Sequence, residues 1–378
     1  MSPSFYLDKN SGDRIHFLEV AENLAKLGCE VTVFAPSYKK LNKAVPFKII
    51  YVPALKNEKL YNVSFEIMLV FVLFYYSIKE RPQVLYFRTH LFNIASFVIS
   101  WFLKIPLVIE KNGLMVDELE LKGVNPFLIK FINFIDKLNL KSAKKVICVT
   151  EGIKKLYSQE FKINEDKFVV IGNGVNIDIF KPMDLSVSRR MMKLPLDKKI
   201  VCFVGSLAPW QGVKKLIDAA EKIEDRVLFL IVGDGIERKV LQEEINNKGL
   251  MERFIFTGFV HYTDVPLYIN ASDICAAPFI MERNQKIGLS PLKIFSYLAC
   301  GKAVIASDIK GITEIIEGEG CGRVFDISNI DDFCAKLMAL LNNDNTRGKM
   351  EANAVRLAKE KFSWNIVTKK VLKELENL

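Results

Sequence analysis

Hydrophobic residues along the chain follow two patterns in turn: short apolar runs, and longer segments in which apolar residues recur at helical spacing. Short runs rich in β-branched residues indicate buried strands, and between them apolar residues recur at helical spacing. The predicted strands of the first half are 30–36, 47–55, 84–90, 106–113, 144–150 and 167–174, with helices at 14–27, 62–79, 91–103, 125–141 and 151–159. The second half predicts strands at 200–206, 227–235, 254–260, 274–279, 303–307 and 321–326, with helices at 212–224, 236–249, 264–271, 291–300 and 311–317. Strands that alternate with helices predict βαβ units and parallel sheets.

A polar segment with two prolines, 180–199, separates the two series and is predicted to be a linker. The sequence therefore predicts an α/β protein with one domain over 1–183 and a second from 184 onward. A ligand cleft is expected between them, beyond the carboxyl ends of the strands. The first strand is predicted at 1–7. Because almost no apolar residue precedes Ser2 and Pro3, the native chain is expected to start slightly earlier.

Composition places these domains among ordinary globular proteins. Of 378 residues, 50% are hydrophobic and 26% charged, which excludes a disordered chain, a collagen-like repeat and a small disulfide scaffold. The net charge is +9, and +7 of it lies in residues 1–183. Seven scattered cysteines without a CxxC pair predict reduced core residues, and with only three histidines no metal site is expected.

The ends and apolar runs suggest a location in the cell. The chain begins without the basic and apolar segments of a signal peptide. The longest apolar run, Ile67 to Ile78, has about 12 residues, whereas a membrane span needs about 20. No transmembrane helix is therefore predicted, and a cytoplasmic protein is expected.

The most informative segment is 286–307, where a glycine and small residues precede a predicted helix. Pro291 suits the first turn of that helix. The backbone N–H groups of Leu289, Ser290 and Leu292 would face outward, where the helix dipole favours an anion, and Lys293 adds a positive charge. A plain helix cap by Ser290 is the ordinary alternative.

Two glycine turns give weaker signals of the same kind. Gly205 ends a predicted strand before a helix that opens at Gly212, and Trp210 between them is placed to cover a flat group. A tight turn with a buried Trp explains the pattern equally well. Gly233 and Gly235 form a GxG fragment that lacks the third glycine of a dinucleotide fingerprint.

Taken together, these pieces resemble the family 4 glycosyltransferases of the GT-B fold, in the variant with an SPLK loop. The matching segments cover nearly the whole chain: SGDRIHFLEVAENLAKLGCEVTVFAP, AKKVICVTEGIKKLY, IGNGVNIDIFKP, FVGSLAPWQG, LIVGDGIER, FTGFVHYTDVPLYINASDICAAPF, GLSPLKIFSYLACGKAVIAS and KFSWNIVTKKVLKEL. The resemblance implies two Rossmann-like, doubly wound parallel-sheet domains facing a cleft. It also implies a C-terminal helix that returns to the first domain, giving 1–183 plus 364–378 and 184–363.

The family resemblance implies retaining, metal-independent transfer of a sugar from a nucleotide diphosphate sugar, with no other cofactor. The second domain would hold the donor and the first the acceptor, a glycan or a lipid-linked saccharide. In this interpretation Gly12 and Asp13 face the diphosphate across the cleft, and Trp210 approaches the nucleoside. The donor-binding set is Gly12, Asp13, Gly205, Ser206, Trp210, Gln211, Gly233, Gly235, Arg283, Gly288, Leu289, Ser290, Pro291, Leu292, Lys293 and Ser296.

The chain departs from the family at charged positions of the donor site. The two glutamates that most members carry correspond to Gly288 and Ser296, and the phosphate-binding Arg and Lys correspond to Ser206 and Gln211. We expect Arg283, Lys286 and Lys293 to restore the missing positive charge. The opposite hypothesis is a catalytically impaired homologue that serves as a binding or scaffold subunit. A nucleotide-sugar epimerase on the same fold is a further alternative.

The acceptor side carries Asn112 where the family often has a histidine. Asn112 can hydrogen-bond a sugar hydroxyl but cannot act as a general base. Asn112, His16 and Lys293 are the predicted catalytic residues, although a structural role for the histidine is the commoner outcome. Predicted acceptor contacts are Arg88, His90, Glu110 and Asn112.

A lysine-rich helical face in the first domain suggests a partner. Lys130, Lys137, Lys141 and Lys144 recur on one face of the helix predicted around 125–141. A solvated face is the ordinary interpretation. The sharper hypothesis is an anionic lipid surface at the inner face of the membrane. A nucleic-acid partner is not expected, because no basic–aromatic motif appears.

Overall fold

The computed structural model describes residues 12–37, 41, 44–55, 60–88, 94–114, 116, 119–120, 123–280 and 287–378. The chain divides into two compact units, unit 1 (1–172 and 365–378) and unit 2 (173–364). The predicted first strand at 1–7 lies outside the described residues, as do His90, Arg283 and Lys286.

Unit 1 contains short parallel strands and long helices, close to the predicted bounds. Its strands are β1 (Thr32–Pro36), β2 (Lys48–Val52), β3 (Leu85–Arg88), β4 (Leu107–Lys111), β5 (Lys145–Cys148) and β6 (Phe168–Val170). Its helices are α1 (Gly12–Lys26), α2 (Tyr61–Glu80), α3 (Ile94–Leu103), α4 (Pro126–Ser142) and α5 (Glu151–Phe161). The pair β1–β2 and the sheet β3–β4–β5–β6 are parallel throughout.

Local capping explains where two of these helices begin. The Asn125 side chain accepts the N–H of Phe127 at 2.9 Å, and Pro126 occupies the first turn of α4, as its sequence indicated. Thr150 caps α5 in the same way through the N–H of Ile153. Each helix starts directly beyond a residue that supplies an acceptor to its unpaired N–H groups.

Unit 2 is built on one six-stranded parallel sheet. In spatial order the strands are β12 (Gly322–Phe325), β11 (Ala303–Ser307), β10 (Ile274–Ala277), β7 (Lys199–Val204), β8 (Val227–Val232) and β9 (Phe254–Gly258). Its helices are α6 (Leu185–Met191), α7 (Lys214–Ala220), α8 (Arg238–Asn247), α9 (Val265–Asn270), α10 (Leu292–Ala299), α11 (Ile330–Asn342) and α12 (Asp344–Leu357). Alternate residues of β7 enter opposite cores, Cys202 one and Phe203 the other, so helices cover both faces. The helix predicted at 311–317 is a π-helical turn, Glu314–Gly318.

The predicted linker at 180–199 was wrong, because this segment is an integral part of unit 2. Phe180 is buried in its core. The buried Arg189 donates to the carbonyl oxygens of Ala271 and Lys198 and pairs with Asp273 at 2.7 Å. The boundary between the units therefore lies after Gly172, earlier than the predicted boundary at residue 183.

The C-terminal helix α13 (Trp364–Glu376) begins in unit 2 and continues in unit 1. Trp364 is buried against Gly174, where an added Cβ would lie 2.8 Å from the indole. Further along, Glu374 pairs with Lys145 of β5 at 3.5 Å. The return of the C-terminus to the first domain is thus present in the structure.

All seven cysteines are free thiols, and six are buried, as predicted.

The prediction that no helix is long enough to span a membrane was wrong. Among the described residues, α2 is long and apolar enough to cross a membrane, since it extends over 20 residues rather than the 12 of its apolar run. Length therefore does not exclude a span, although a third of its most apolar window is buried inside the protein.

Candidate active site

In unit 1, four of the predicted residues form one cluster at the carboxyl ends of β3 and β4, in which His16, Arg88 and Glu110 are buried and Asp13 is exposed. The cluster of Asp13, His16, Arg88 and Glu110 is hereafter the unit 1 charge cluster. The Arg88 guanidinium lies 2.9 Å from the Asp13 carboxylate and also donates to the Asp13 carbonyl oxygen. His16 Nε2 lies 2.6 Å from Glu110 Oε1, and Arg88 Nε lies 3.7 Å from the same oxygen.

Glu110 is the centre of this cluster, and its ionisation follows from its partners. Burial would raise the pKa of Glu110, but His16, Arg88 and the Tyr86 hydroxyl outweigh it and lower the pKa to about 2. Tyr86 was not identified from the sequence; its place two residues before Arg88 on the same strand face was the available signal. His16 thus lies against a buried carboxylate, which favours a positioning role over proton transfer.

Asn112 follows β4 directly and differs from these paired groups. Its Oδ1 atom is buried and has no hydrogen-bond partner among the described residues. The preceding Lys111 points to the other face of the sheet, where its ammonium lies 2.6 Å from Asp136 and over the Tyr157 ring. Burial raises the pKa of Tyr157 to about 12. Lys111 and Asp136 anchor α4 to β4, so a fixed strand presents Asn112.

In unit 2, the turns after β7 and β8 are joined by backbone hydrogen bonds. Leu207 donates to Asp234, and Glu237 donates back to Leu207. An added Cβ at Gly233 would lie 1.9 Å from the Gly205 carbonyl oxygen, and one at Gly235 would lie 2.3 Å from that of Leu207. The glycines are needed because the two turns touch each other, which leaves a rigid platform at this edge of the sheet.

Lys293 lies beneath this platform. Its Nζ atom is 2.6 Å from Gln211 Oε1 and 3.8 Å from the centre of the Phe203 ring. An added Cβ at Gly205 would lie 2.7 Å from the same nitrogen. Burial lowers the pKa of Lys293 well below its ordinary value. We refer to Gly205, Gln211 and Lys293, with Phe203, as the unit 2 lysine cluster.

Helix α10 holds Lys293 in this position. The helix begins at Leu292, after Pro291, so its first-turn N–H groups start with Leu292 and Lys293. Ser290 does not cap the helix through its side chain; its hydroxyl accepts the N–H of Asn173 at 2.8 Å instead. One turn after Lys293, the Tyr297 hydroxyl accepts the N–H of Val204 at 2.8 Å and fastens α10 to the end of β7.

The remaining predicted donor residues are not part of this cluster. Ser296 donates its hydroxyl proton to the Leu292 carbonyl oxygen at 3.0 Å, and Ser206 is exposed. Gly288 adopts a φ of +70°, in the left-handed region that favours glycine. Trp210 is half-buried in a short 3₁₀ turn, Pro209–Gln211. Phe203, Tyr297 and Asn173 were not predicted; for Tyr297 the four-residue spacing from Lys293 was the available signal.

The described residues contain no group of three or more His, Cys, Asp or Glu side chains that could hold a metal ion.

Two family models match the chain in succession. The model described as Glycosyltransferase Family 4 matches residues 11–179, and that of Glycosyl transferases group 1 matches residues 187–356. The chain belongs to the family 4 glycosyltransferases. It is a glycosyltransferase with the two-domain, Rossmann-like GT-B fold, as the sequence predicted.

Similar proteins extend over nearly the full length of the chain. An uncharacterized glycosyltransferase of Methanocaldococcus jannaschii is 24% identical, over 100% of this chain and 97% of the relative. The N,N'-diacetylbacillosaminyl-diphospho-undecaprenol alpha-1,3-N-acetylgalactosaminyltransferase of Campylobacter jejuni is 26% identical, over 94% and 88%. The crystal structure of HepE from Anabaena in complex with UDP has a TM-score of 0.75 at 18% identity, over 98% and 97%.

Proposed function

We propose that this glycosyltransferase moves a sugar from a nucleotide diphosphate sugar to a glycan or lipid-linked acceptor, with retention of configuration and without a metal ion. The observation that carries the proposal is the unit 2 lysine cluster. The Lys293 nitrogen contacts a neutral amide and a phenyl ring and has no carboxylate partner among the described residues, so a bound anion would supply the missing counter-charge. A leaving diphosphate is such an anion.

Lys293 takes the place of a charge that the glycine turn lacks. In the family the turn itself carries the cation, whereas here that position is Gln211, and the ammonium comes from α10 instead. Lys293 and the first-turn N–H groups of α10 would together stabilise the charge that develops on the diphosphate as the sugar departs. This arrangement supports catalysis without a metal ion.

A retaining transfer breaks one bond at the sugar C1 and forms another on the same face. The bond between the sugar C1 and the β-phosphate oxygen breaks, and the acceptor oxygen bonds to C1 on the same face. The acceptor proton passes to the departing phosphate oxygen, so the protein need not supply a general base. Asn112, whose buried Oδ1 lacks a partner among the described residues, is suited to accept a hydrogen bond from an acceptor hydroxyl.

The comparisons support the choice of substrates. HepE was crystallised with UDP, which supports a nucleoside diphosphate as the donor group. The C. jejuni relative is named for an undecaprenyl-diphosphate-linked acceptor, which supports a lipid-linked saccharide here. The unit 1 charge cluster would act indirectly, because Arg88 fixes Asp13 and hence the start of α1.

Calorimetric titration with UDP, GDP and ADP tests the donor site. We expect one of them to bind, and Lys293→Ala to weaken that binding by about 10- to 100-fold, since a hydrogen bond to a charged group is lost. Lys222→Ala is the matched control, because Lys222 pairs with the exposed Asp331 outside the lysine cluster. Binding of none of the three would instead favour a scaffold subunit. Retention is checked separately by the anomeric NMR signals of the product.

A further inference from the structure

The helices α2, α3 and α4 of unit 1 expose large apolar side chains to an unusual degree. Phe71 is 64% exposed, Trp101 73% and Phe127 82%. The exposed set on these helices is Val63, Ile67, Phe71, Phe74, Tyr75, Ile78, Trp101, Phe102, Phe127, Leu128, Phe131, Phe134 and Leu138. We refer to it as the apolar face. Patches of this kind mark interaction surfaces, whereas single exposed apolar residues do not.

The apolar face is continuous because α3 packs against both α2 and α4. At the α2–α3 junction the exposed rings of Phe74 and Phe102 meet edge to face at 5.9 Å. On α4 the exposed residues Phe127, Phe131, Phe134 and Leu138 recur at spacings of four and three, which places them along one stripe.

The opposite side of α2 is fixed in the fold. Phe65, Leu69 and Leu73 are buried in the unit 1 core. The Glu66 carboxylate accepts the N–H groups of Ile94 and Ala95, both at 3.0 Å, and so caps the start of α3. A helix that is fastened along one side in this way can lie on a membrane, but it cannot cross one without breaking these contacts.

The charges beside the apolar face indicate which kind of partner it binds. The three acidic residues of α2, α3 and α4 are internally satisfied: Glu66 caps α3, Asp136 is buried against Lys111, and Glu80 pairs with Lys48. The exposed basic residues in and directly after these helices are Lys79, Arg81, Lys104, Lys130, Lys141 and Lys144. A second copy of the chain would bring positive charge onto positive charge, whereas an anionic lipid surface complements it.

We propose that the apolar face docks on an anionic bilayer, with α2, α3 and α4 lying in the interface plane and their exposed aromatic rings inserted among the lipid headgroups. The basic residues then lie at headgroup level. This docking goes beyond the proposed reaction and does not depend on it.

Vesicle sedimentation of the full chain tests the proposal. We expect binding to vesicles of phosphatidylcholine with 30 mol% phosphatidylglycerol (about a third anionic lipid), and at least tenfold weaker binding to phosphatidylcholine alone. The triple variant Phe71→Ser, Trp101→Ser, Phe102→Ser should bind neither. The matched control Val187→Ser, Met191→Ser, Leu196→Ser removes three exposed apolar residues from unit 2 and should bind like the wild type.

A second triple variant separates charge from insertion. Lys130→Gln, Lys141→Gln, Lys144→Gln should lose at least tenfold in affinity for the anionic vesicles, since each basic residue near the surface contributes roughly fivefold. Its weak binding to phosphatidylcholine should be unchanged. Nucleoside diphosphate binding should be unaffected in every variant, so failure here is distinguishable from failure of the proposed function.

Trp101 reports insertion directly. Its fluorescence should shift to the blue when anionic vesicles are added. Trp101→Phe should abolish the shift, because the other two tryptophans, half-buried Trp210 in unit 2 and buried Trp364, lie outside the apolar face. Two results would overturn the proposal. One is no vesicle binding together with a soluble dimer that the aromatic triple variant dissociates, which identifies a copy-to-copy interface. The other is membrane association that resists alkaline carbonate extraction, which identifies a spanning helix.

Discussion

Each unit places a cation near the carboxyl end of its parallel sheet, but the two cations meet different neighbours. Arg88 of unit 1 lies 2.9 Å from the carboxylate of Asp13 and 3.7 Å from that of Glu110. Lys293 of unit 2 contacts a neutral amide at 2.6 Å and a phenyl ring, with no ion pair among the described residues. The first charge is paired with carboxylates of the protein, whereas the second has none among the described residues, and we propose that it binds the ligand.

Residue types alone suggested acid–base chemistry in unit 1 and a missing cation in unit 2, and the contacts indicate the opposite in both. His16, Arg88 and Glu110 have the side chains of acid–base chemistry, yet they pair with one another and hold α1 to the sheet. The glycine turn of unit 2 lacks the expected cation, yet Lys293 reaches the same place from another helix. The arrangement of partners, rather than the presence of a charged side chain, separates a structural cluster from a binding site.

The largest expected effect is on stability, from unit 1. Glu110→Gln should lower the free energy of unfolding by about 3–5 kcal/mol, because it leaves the buried Arg88 guanidinium without its buried carboxylate. Chemical denaturation at pH 7 measures this loss. The control Glu360→Gln removes an exposed pair with Arg356 and should cost less than about 1 kcal/mol.

The same variant has a pH signature. The pKa of Glu110 in the folded protein, about 2, lies below its ordinary value, so its stabilising contribution is present above about pH 4.5. That contribution is lost as the pH falls toward 2, and the stability difference between wild type and Glu110→Gln should narrow over this range. A difference that stays constant from pH 5 to 2.5 would contradict the assigned role.

The next test gives Lys293 of unit 2 a carboxylate partner, like the carboxylate partners of Arg88 in unit 1. Gln211→Glu places a carboxylate 2.6 Å from Lys293, pairs its charge internally and repels a diphosphate. We expect UDP affinity and turnover to fall by at least about tenfold, with no loss of melting temperature. Gln159→Glu adds the same charge to the surface of unit 1 and should change neither. Unaltered UDP binding by Gln211→Glu would remove the distinction between the two clusters.

A smaller effect is expected from pH in the wild type. Burial lowers the pKa of Lys293, so its ammonium loses its proton at a lower pH than that of an exposed lysine. Because a diphosphate binds the protonated form, affinity should decline as the pH rises through this lowered pKa, by up to about tenfold per pH unit. Lys293→Arg, whose guanidinium stays protonated, should show a flat profile. Calorimetry at several pH values measures both.

The smallest effect is expected at Ser296. Its hydroxyl proton is donated to the Leu292 carbonyl within α10, so Ser296→Ala should change nucleotide affinity by less than about twofold. A tenfold loss would show that this hydroxyl reaches the donor in place of the family's glutamate. Fluorescence titration with the nucleoside diphosphate that binds best measures it.

Much of this molecule could be predicted from local sequence. The alternation of strands and helices, the cap at Asn125 and the glycine turns at Gly205 and Gly233 all depend on neighbouring residues. Local signals failed at 180–199, where two prolines and polar residues suggested a linker. The one helix of that segment, Leu185–Met191, has seven residues, too few to show a clear period.

The sequence by itself determined the order of elements, the family and the residues from which a site can be built. Only the tertiary structure decided which of those residues meet. Asp13 and Arg88 are 75 residues apart along the chain, and Gln211 and Lys293 are 82 apart. The tertiary structure also decided which side of α2 faces outward, because this helix is apolar on nearly every side. The physical reason is that hydrophobic periodicity and turn preferences act over a few residues, whereas charge pairing and burial depend on packing between distant segments.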